Sequence, residues 1–536
     1  MSTDTPNLTW WKTGVIYQIY PRSFRDSNGD GIGDLQGITD QLDYFQWLGI
    51  RAIWISPIFR SPMADFGYDV SDYTDIDPMF GTMADFDRLL NEAHRRDLKV
   101  ILDFVPNHTS DLHPWFVESK SSKTSAKRDW YIWQDGKPDG SPPNNWKSVF
   151  GGDAWEWDAH THQYYYHGFL KEQPDLNWRN REVQEAMYDV MRFWLDKGVD
   201  GFRVDVIWHL IKDDQLRDNP PNPDYSETQP TYDQLLPVYS TDQPEVHDIV
   251  AQMRKVTDAY DERVIIGEVY LPIQQLMTYY GAQNDGAHMP FNFLLVKLPW
   301  QAQEIAAAID QYEGALPDGG WPNWVLGNHD NTRIASRIGE PQARVAALLL
   351  LTLRGTPTLY YGDEIGMRDV PISAEQMRDP QGINMPDKDL SRDPCRTPMQ
   401  WSNKPYAGFS ETAPWLPVDK KYARVNVETQ RNDPYSMLSL YHKLIRLRNS
   451  EPALNQGSYT PLLANDQLIA YRRDSPHGDS FLVVLNLTSR PCRYRQTEQP
   501  LLTGEVVAAT SPELEGATIE ENIYLAGDEG IVVRLA

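Results

Sequence analysis

Short apolar, β-branched and aromatic runs recur through the first 360 positions. They read as buried strands at Gly14-Val-Ile-Tyr-Gln-Ile-Tyr20, Ala52-Ile-Trp-Ile-Ser56, Lys99-Val-Ile-Leu-Asp-Phe104, Gly201-Phe-Arg-Val-Asp205, Val264-Ile-Ile-Gly-Glu268, Trp324-Val-Leu-Gly-Asn-His-Asp330 and Thr356-Pro-Thr-Leu-Tyr-Tyr361. Between them apolar residues return every three or four positions, as helices require. Phe86, Leu89, Leu90 and Ala93 follow a capping box at Thr82 to Asp85. Val183, Met187, Val190, Met191, Trp194 and Leu195 mark a second helix, and Val345–Leu353 a third. Strands alternating with helices predict a parallel α/β architecture with right-handed crossovers.

The rhythm breaks in three places. Residues 105–177 are rich in Trp, Tyr, Gly, Pro and Lys and show little helical period, which predicts an inserted subdomain or a lid. Residues 211–245, and the polar stretch from 362 to about 434, read as loops. An amphipathic helix with Leu438, Tyr441, Leu444 and Ile445 follows. From Gly457 the period becomes two, as in Leu468–Tyr471, Phe481–Asn486 and Ile531–Leu535. The expected architecture is a (β/α)₈ barrel over 1–104 and 178–456. An inserted domain covers 105–177 after the third strand, and an antiparallel β-sandwich covers 457–536.

Composition narrows the partners. The chain has 536 residues, enough for more than one core. Fifty basic against 76 acidic residues leave a net charge of −26, which argues against nucleic acid and anionic membranes. The stretch Met1–Asn7 is polar, with no apolar segment of a signal peptide, and no run is long enough to span a bilayer. Two cysteines, Cys395 and Cys492, form no disulfide framework. The expectation is a cytoplasmic protein, monomer or homodimer, acting on a small molecule.

The chemistry gathers at strand ends. In a barrel of eight parallel βα units these ends surround one mouth. There the sequence places His108, Arg203, Asp205, Glu268, His329 and Asp330. Arg203 and Asp205 are two apart and share a face, so the guanidinium should lower the carboxyl's pKa and favour a nucleophile. Burial and mutual repulsion should raise another carboxyl and make it a general acid. That pairing equips retaining glycoside hydrolysis, with the two carboxyls about 5–5.5 Å apart. Near the first strand, Asp26, Asn28, Asp30, Ile32 and Asp34 alternate with glycines. Two readings stand: a loop for one structural Ca²⁺ or Mg²⁺, or an ion-free cluster of Asx turns.

The chain resembles the α-amylase family, glycoside hydrolase family 13, and within it the α-glucosidase and oligo-1,6-glucosidase branch. The matching motifs are Asp103-Phe-Val-Pro-Asn-His108, Gln173-Pro-Asp-Leu-Asn177, Gly201-Phe-Arg-Val-Asp205, Gly267-Glu268-Val269 and Asn328-His-Asp330, in the family's order. The resemblance implies Asp205 as nucleophile, Glu268 as acid/base and Asp330 as the residue holding the 2- and 3-hydroxyls. It implies His108, Arg203 and His329 on the same glucosyl ring, and Asp65 and Tyr68 at the closed end. Arg396, with Arg392 close by, reaches in from the last barrel loop. Phe150, Phe169 and Phe291 form the aromatic wall, and Val206 goes with acceptance of α-1,6 bonds. The loop at 26–34 matches the branch's cation site, and no organic cofactor is implied. The expected enzyme removes glucose from nonreducing ends of disaccharides and short α-gluco-oligosaccharides. The rival reading is a glucosyl transferase or isomerase acting on sucrose or other disaccharides.

Overall fold

The computed structural model describes residues 9–475, 478–497 and 500–536. The polar stretch Met1–Asn7 lies outside the described residues. Eight strands pair in parallel: β1 (Ile16–Ile19), β2 (Ala52–Ile55), β3 (Lys99–Phe104), β4 (Gly201–Val204), β5 (Val264–Gly267), β6 (Met289–Pro290), β7 (Asn323–Val325) and β8 (Thr356–Tyr360). Their order is β6-β5-β4-β3-β2-β1-β8-β7. A lone parallel bridge, Asn292 to Trp324, joins the two outer strands and closes the ring. β6 went unread in the sequence because two residues carry no periodicity.

Alternation along each strand sorts side chains to two sides. Ile16, Ala52, Trp54, Ile101, Val264, Ile266, Met289 and Val325 form one buried cluster. Their strand neighbours Tyr17, Ile19, Ile53, Ile55, Val100, Leu102, Phe202 and Val204 belong to a larger cluster with the helices. That is the pattern of a filled barrel with an outer helical ring. The helix Met83–Arg95 starts at the predicted capping box. The helix Arg181–Asp196 buries the predicted apolar stripe. It ends before Gly198, whose φ of 101° is the left-handed conformation that glycine adopts at least cost. β4 follows directly.

The excursion between β3 and β4 contains a helix, Pro114–Lys120, that the sequence's lack of helical period did not signal. It also holds a three-stranded antiparallel sheet of Trp133–Gln134, Gln163–Tyr166 and Trp155–Asp158. After the barrel, β9 (Ser458–Ala464), β10 (Leu468–Asp474), β11 (Ser480–Asn486), β12 (Gly504–Ala509) and β13 (Gly530–Leu535) form an antiparallel sheet in the order β9-β10-β11-β13-β12. Cys492–Arg495 pairs with Asn522–Leu525 in a second, two-stranded sheet. Ile469, Tyr471, Phe481, Val483 and Leu485 point into the barrel's helical core, while Leu468, Leu482 and Val484 pack with Tyr494, Ile523 and Leu525. Among the described residues no helix is long and apolar enough to cross a membrane.

Candidate active site

β3, β4 and β5 deliver three carboxylates to one arginine. The register sets Arg203 beside Asp103 on one side and Ile266 on the other. The ladder then continues one rung: the Asp205 N–H donates to the Phe104 carbonyl at 2.8 Å and the Glu268 N–H to the Val204 carbonyl at 3.0 Å. Asp205 and Glu268 therefore stand at the strand ends beside each other. The Arg203 Nη1 donates to Asp103 at 2.8 Å and to Asp205 at 2.7 Å, and Nη2 pairs with Glu268 at 2.6 Å. Arg203 is fully buried and lies over the Trp54 ring. Trp54 and Tyr68 both donate to the far oxygen of Asp103, so Asp103 orders the arginine.

From β7 come His329 and Asp330. The His329 Nε2 meets the Tyr68 hydroxyl at 2.6 Å, and the two rings stack with only 4° between their planes. Gln18 of β1 holds the other ring nitrogen at 2.7 Å. Asp330 lies 3.3 Å from His329 and 2.8 Å from the Arg396 Nη2. The His108 Nε2 donates to the Tyr68 carbonyl at 3.0 Å, with the Gln173 side-chain amide 3.1 Å from the same nitrogen, and its ring leans on Phe169, which packs against Phe150. Tyr68, His108, Phe150, Phe169, Gln173, Asp205, Glu268, His329 and Asp330 line one cavity of about 520 Å³, while Arg203, expected on the glucosyl ring, is not among its lining residues.

Three expectations need correction. Phe291 does not line the cavity. It lies buried in the barrel interior against Trp54 and Phe293, because β6 turns it inward with the strand clusters. Of the two arginines, Arg392 reaches the cavity. It pairs with Asp65 at 2.7 Å and Asp379 at 2.6 Å, approaches Asp330 at 3.3 Å and covers the Phe150 ring. Arg396 stands behind it, fully buried, and also donates to the His329 carbonyl. The third correction is electrostatic. Burial raises the Asp205 carboxyl well above its usual range, and the pull of Arg203 does not offset it. One guanidinium shared among three carboxylates cannot neutralise them all. Glu268 is likewise raised, by burial first and by Asp330 among its neighbours. Asp330 alone is held low. Its burial would raise it, but is outweighed by the charges around it. His329 is itself driven neutral by burial, so Arg396 and Arg392 supply that charge.

The cavity is also lined by Val206, Trp208, Tyr270, Leu271 and Lys297. Sequence reading found only the first, since the others sit in loops and a short helix without a strand-end signal. Val206 has φ 36° and ψ 47°. A β-branched residue in this left-handed region carries strain of order 1–3 kcal/mol. The turn swings its side chain to the cavity wall, while its N–H donates to the Glu268 Oε2 at 2.9 Å.

The loop at 26–34 forms chained Asx turns. Asp26 accepts from the N–H groups of Asn28, Gly29 and Gly31 and from the Ser410 hydroxyl. Asn28 accepts from the Asp30 N–H, and Asp30 from the Ile32 N–H. Asp34 takes Ser27 and caps the following helix through Gly37. Among the described residues no group of three or more His, Cys, Asp or Glu stands together as metal ligands. The oxygen donors nevertheless suit a hard cation in kind.

Known proteins resemble this chain along most of its length. The chain is 44% identical over 489 residues to a probable α-glucosidase of Rhizobium meliloti, covering 88% of each. It is 40% identical over 529 residues to the oligo-1,6-glucosidase of Heyndrickxia coagulans, covering 91% of this chain and 94% of that one. A solved α-glucosyl transfer enzyme, XgtA, superposes with a TM-score of 0.93 at 40% identity, over 99% of this chain and 100% of its own. The α-amylase catalytic domain matches residues 18–457, and the chain belongs to that family.

Proposed function

We propose that this protein is a retaining α-glucosidase that releases single glucosyl units from the nonreducing ends of short α-glucosides. The observation that carries this is the set of Asp205, Glu268 and Asp330 on buried arginines, in a cavity that the Asp65–Arg392 pair also lines. In the reactive state the two raised carboxyls share one proton, which sits on Glu268: ionised Asp205 attacks the anomeric carbon while Glu268 protonates the leaving oxygen, which gives a covalent glucosyl-enzyme. Glu268, now ionised, takes a proton from water as the water attacks the same carbon, and glucose leaves with its configuration retained. Asp330 stays ionised and accepts hydrogen bonds from the ring hydroxyls, which strengthen as positive charge develops. Arg203 keeps Asp205 oriented for attack and lowers the cost of ionising it.

Asp205→Asn and Glu268→Gln should each leave a folded protein whose maltose hydrolysis falls by orders of magnitude. Azide should partly restore Asp205→Ala with an inverted product, read by NMR of the glucosyl azide. Near-normal hydrolysis by Asp205→Asn would remove the assignment. A second reading, glucosyl transfer or isomerisation, is favoured by the match to the transfer enzyme. It differs only in what attacks the intermediate. Product analysis on maltose, isomaltose, sucrose and trehalose separates the two. We also propose that the 26–34 loop takes one Ca²⁺ or Mg²⁺ through Asp26, Asn28, Asp30, Ile32 and Asp34. It lies apart from the carboxylates and takes no part in the reaction.

A further inference from the structure

We propose that Val206 positions the proton donor through its backbone: its N–H fixes which oxygen of Glu268 carries the proton. The inference rests on the assignment of Glu268 as acid/base given above. In a parallel ladder successive N–H groups turn to opposite neighbours. Asp205 donates to β3, so the N–H of Val206 turns toward β5. The chain leaves the sheet at Val206, and the acceptor it meets is the Glu268 side chain instead of a carbonyl. Glu268 Oε2 then receives two donors, the Val206 N–H at 2.9 Å and the Arg203 Nη2 at 2.6 Å. An oxygen facing two donors cannot also hold an O–H directed at them, so the neutral carboxyl carries its proton on Oε1. Asp205, Asp103, Asp330 and Tyr270 are the other charged and titratable groups that act on it. None of these offers a second backbone donor.

One residue thus serves two tasks. Its side chain lines the cavity, and its N–H orients the group that protonates the leaving group. Its left-handed conformation joins the two.

The test replaces Val206 by its α-hydroxy analogue, which exchanges the amide N–H for an ester oxygen and keeps the side chain. Maltose, which needs a proton donor, is compared with α-glucosyl fluoride, whose leaving group departs without one. We expect kcat/KM on maltose to fall about 10- to 100-fold, while glucosyl fluoride stays within about threefold. The alkaline limb of the maltose profile should move up by about half a unit to one, because a bond favouring ionised Glu268 is lost. Equal losses on both substrates, or an unmoved limb, overturn the inference. Val206→Gly keeps the N–H and adopts the left-handed turn readily, so its alkaline limb should stay in place; a moved limb there also overturns it. Glu268→Gln separates this from the assignment beneath it. If that variant does not lose maltose selectively over the fluoride, the acid/base role itself fails. If it does and the ester variant is normal, only the Val206 inference fails.

Discussion

Arg203 is the residue whose surroundings decide the chemistry. It holds three carboxylates within 2.8 Å while itself fully buried. A simple two-body reading of Arg203 beside Asp205 predicts a lowered pKa, and the sequence offers no way to count the other claimants. Register supplies the count, because it brings Asp103 and Glu268 to the same guanidinium from positions far apart in the chain. The arginines at 392 and 396 show the same limit. Both lie in one polar stretch, and only the folded loop tells which one meets the cavity. Val206 was legible for a different reason: its neighbour Asp205 ends a strand, so the chain must turn there. An α-1,6 bond has one more rotatable carbon than an α-1,4 bond, which places the leaving sugar differently against this wall. Exchanging a methyl for a hydroxyl at such a wall changes specificity by roughly 10- to 200-fold. Val206→Thr should therefore shift the isomaltose-to-maltose ratio of kcat/KM toward maltose, and an unchanged ratio would show that Val206 only packs.

At the level of elements, the strands that carry the site were readable because each joins a short β-forming run to a reactive residue. β7 keeps only three residues of strand, yet Asn328, His329 and Asp330 follow it as read. Phe291 was misplaced because a lone aromatic after an unread two-residue strand gives no clue to its face. β6 turns it toward Trp54 instead. The 26–34 loop is an element held by its own backbone and by Ser410 and Thr412 from the far loop. A cation bound there would add stability by mass action, about 2.7 kcal/mol at a hundredfold excess over Kd, without touching the reaction. Chelation should lower the melting temperature and leave turnover at lower temperature unchanged. If turnover stops in protein that circular dichroism shows to be folded, the ion takes part in the reaction after all. If neither changes, the Asx turns suffice alone.

Across the whole molecule, the site is a cost to the fold. Asp205 and Glu268 have raised pKa values in the folded state. Their ionisation therefore opposes folding above the ordinary carboxylate range near pH 4, and the penalty vanishes below it. Neutral replacements remove it. Asp205→Asn and Glu268→Gln should each melt a degree or so above the parent at pH 7, and the gap should close as the pH falls toward about 4. Asp330 has the opposite sign. Its pKa is depressed, so it stabilises at neutral pH, and that contribution fades only as the pH drops below the ordinary range. Asp330→Asn should melt lower at pH 7. Thermal scans at both pH values check all three, and a Glu268→Gln protein less stable at pH 7 than its parent contradicts the account. Elsewhere the architecture was written in periodicity. The change to period two near Gly457 marks the first strand of the last sheet at Ser458, but nothing in the pattern told that Tyr471 bonds Thr352 of a barrel helix.

The single bridge from Asn292 to Trp324 leaves the barrel with a seam. Every other neighbouring pair of barrel strands shares at least two registered positions. Amide protons measure such differences, since each must escape its partner before solvent can replace it. In deuterium oxide, the amides of Met289, Asn292 and β7 should exchange well before those of β2, β3 and β4. Asp330 follows β7 in the chain, and Phe293, next to Asn292, stacks on Tyr270. In the proposed function the sugar is held by Asp330, in the loop that leaves β7. Binding a nonhydrolysed glucoside should therefore slow exchange at residues 289–293 and 323–326 more than anywhere else in the ring, the behaviour of a hoop tightened at its joint.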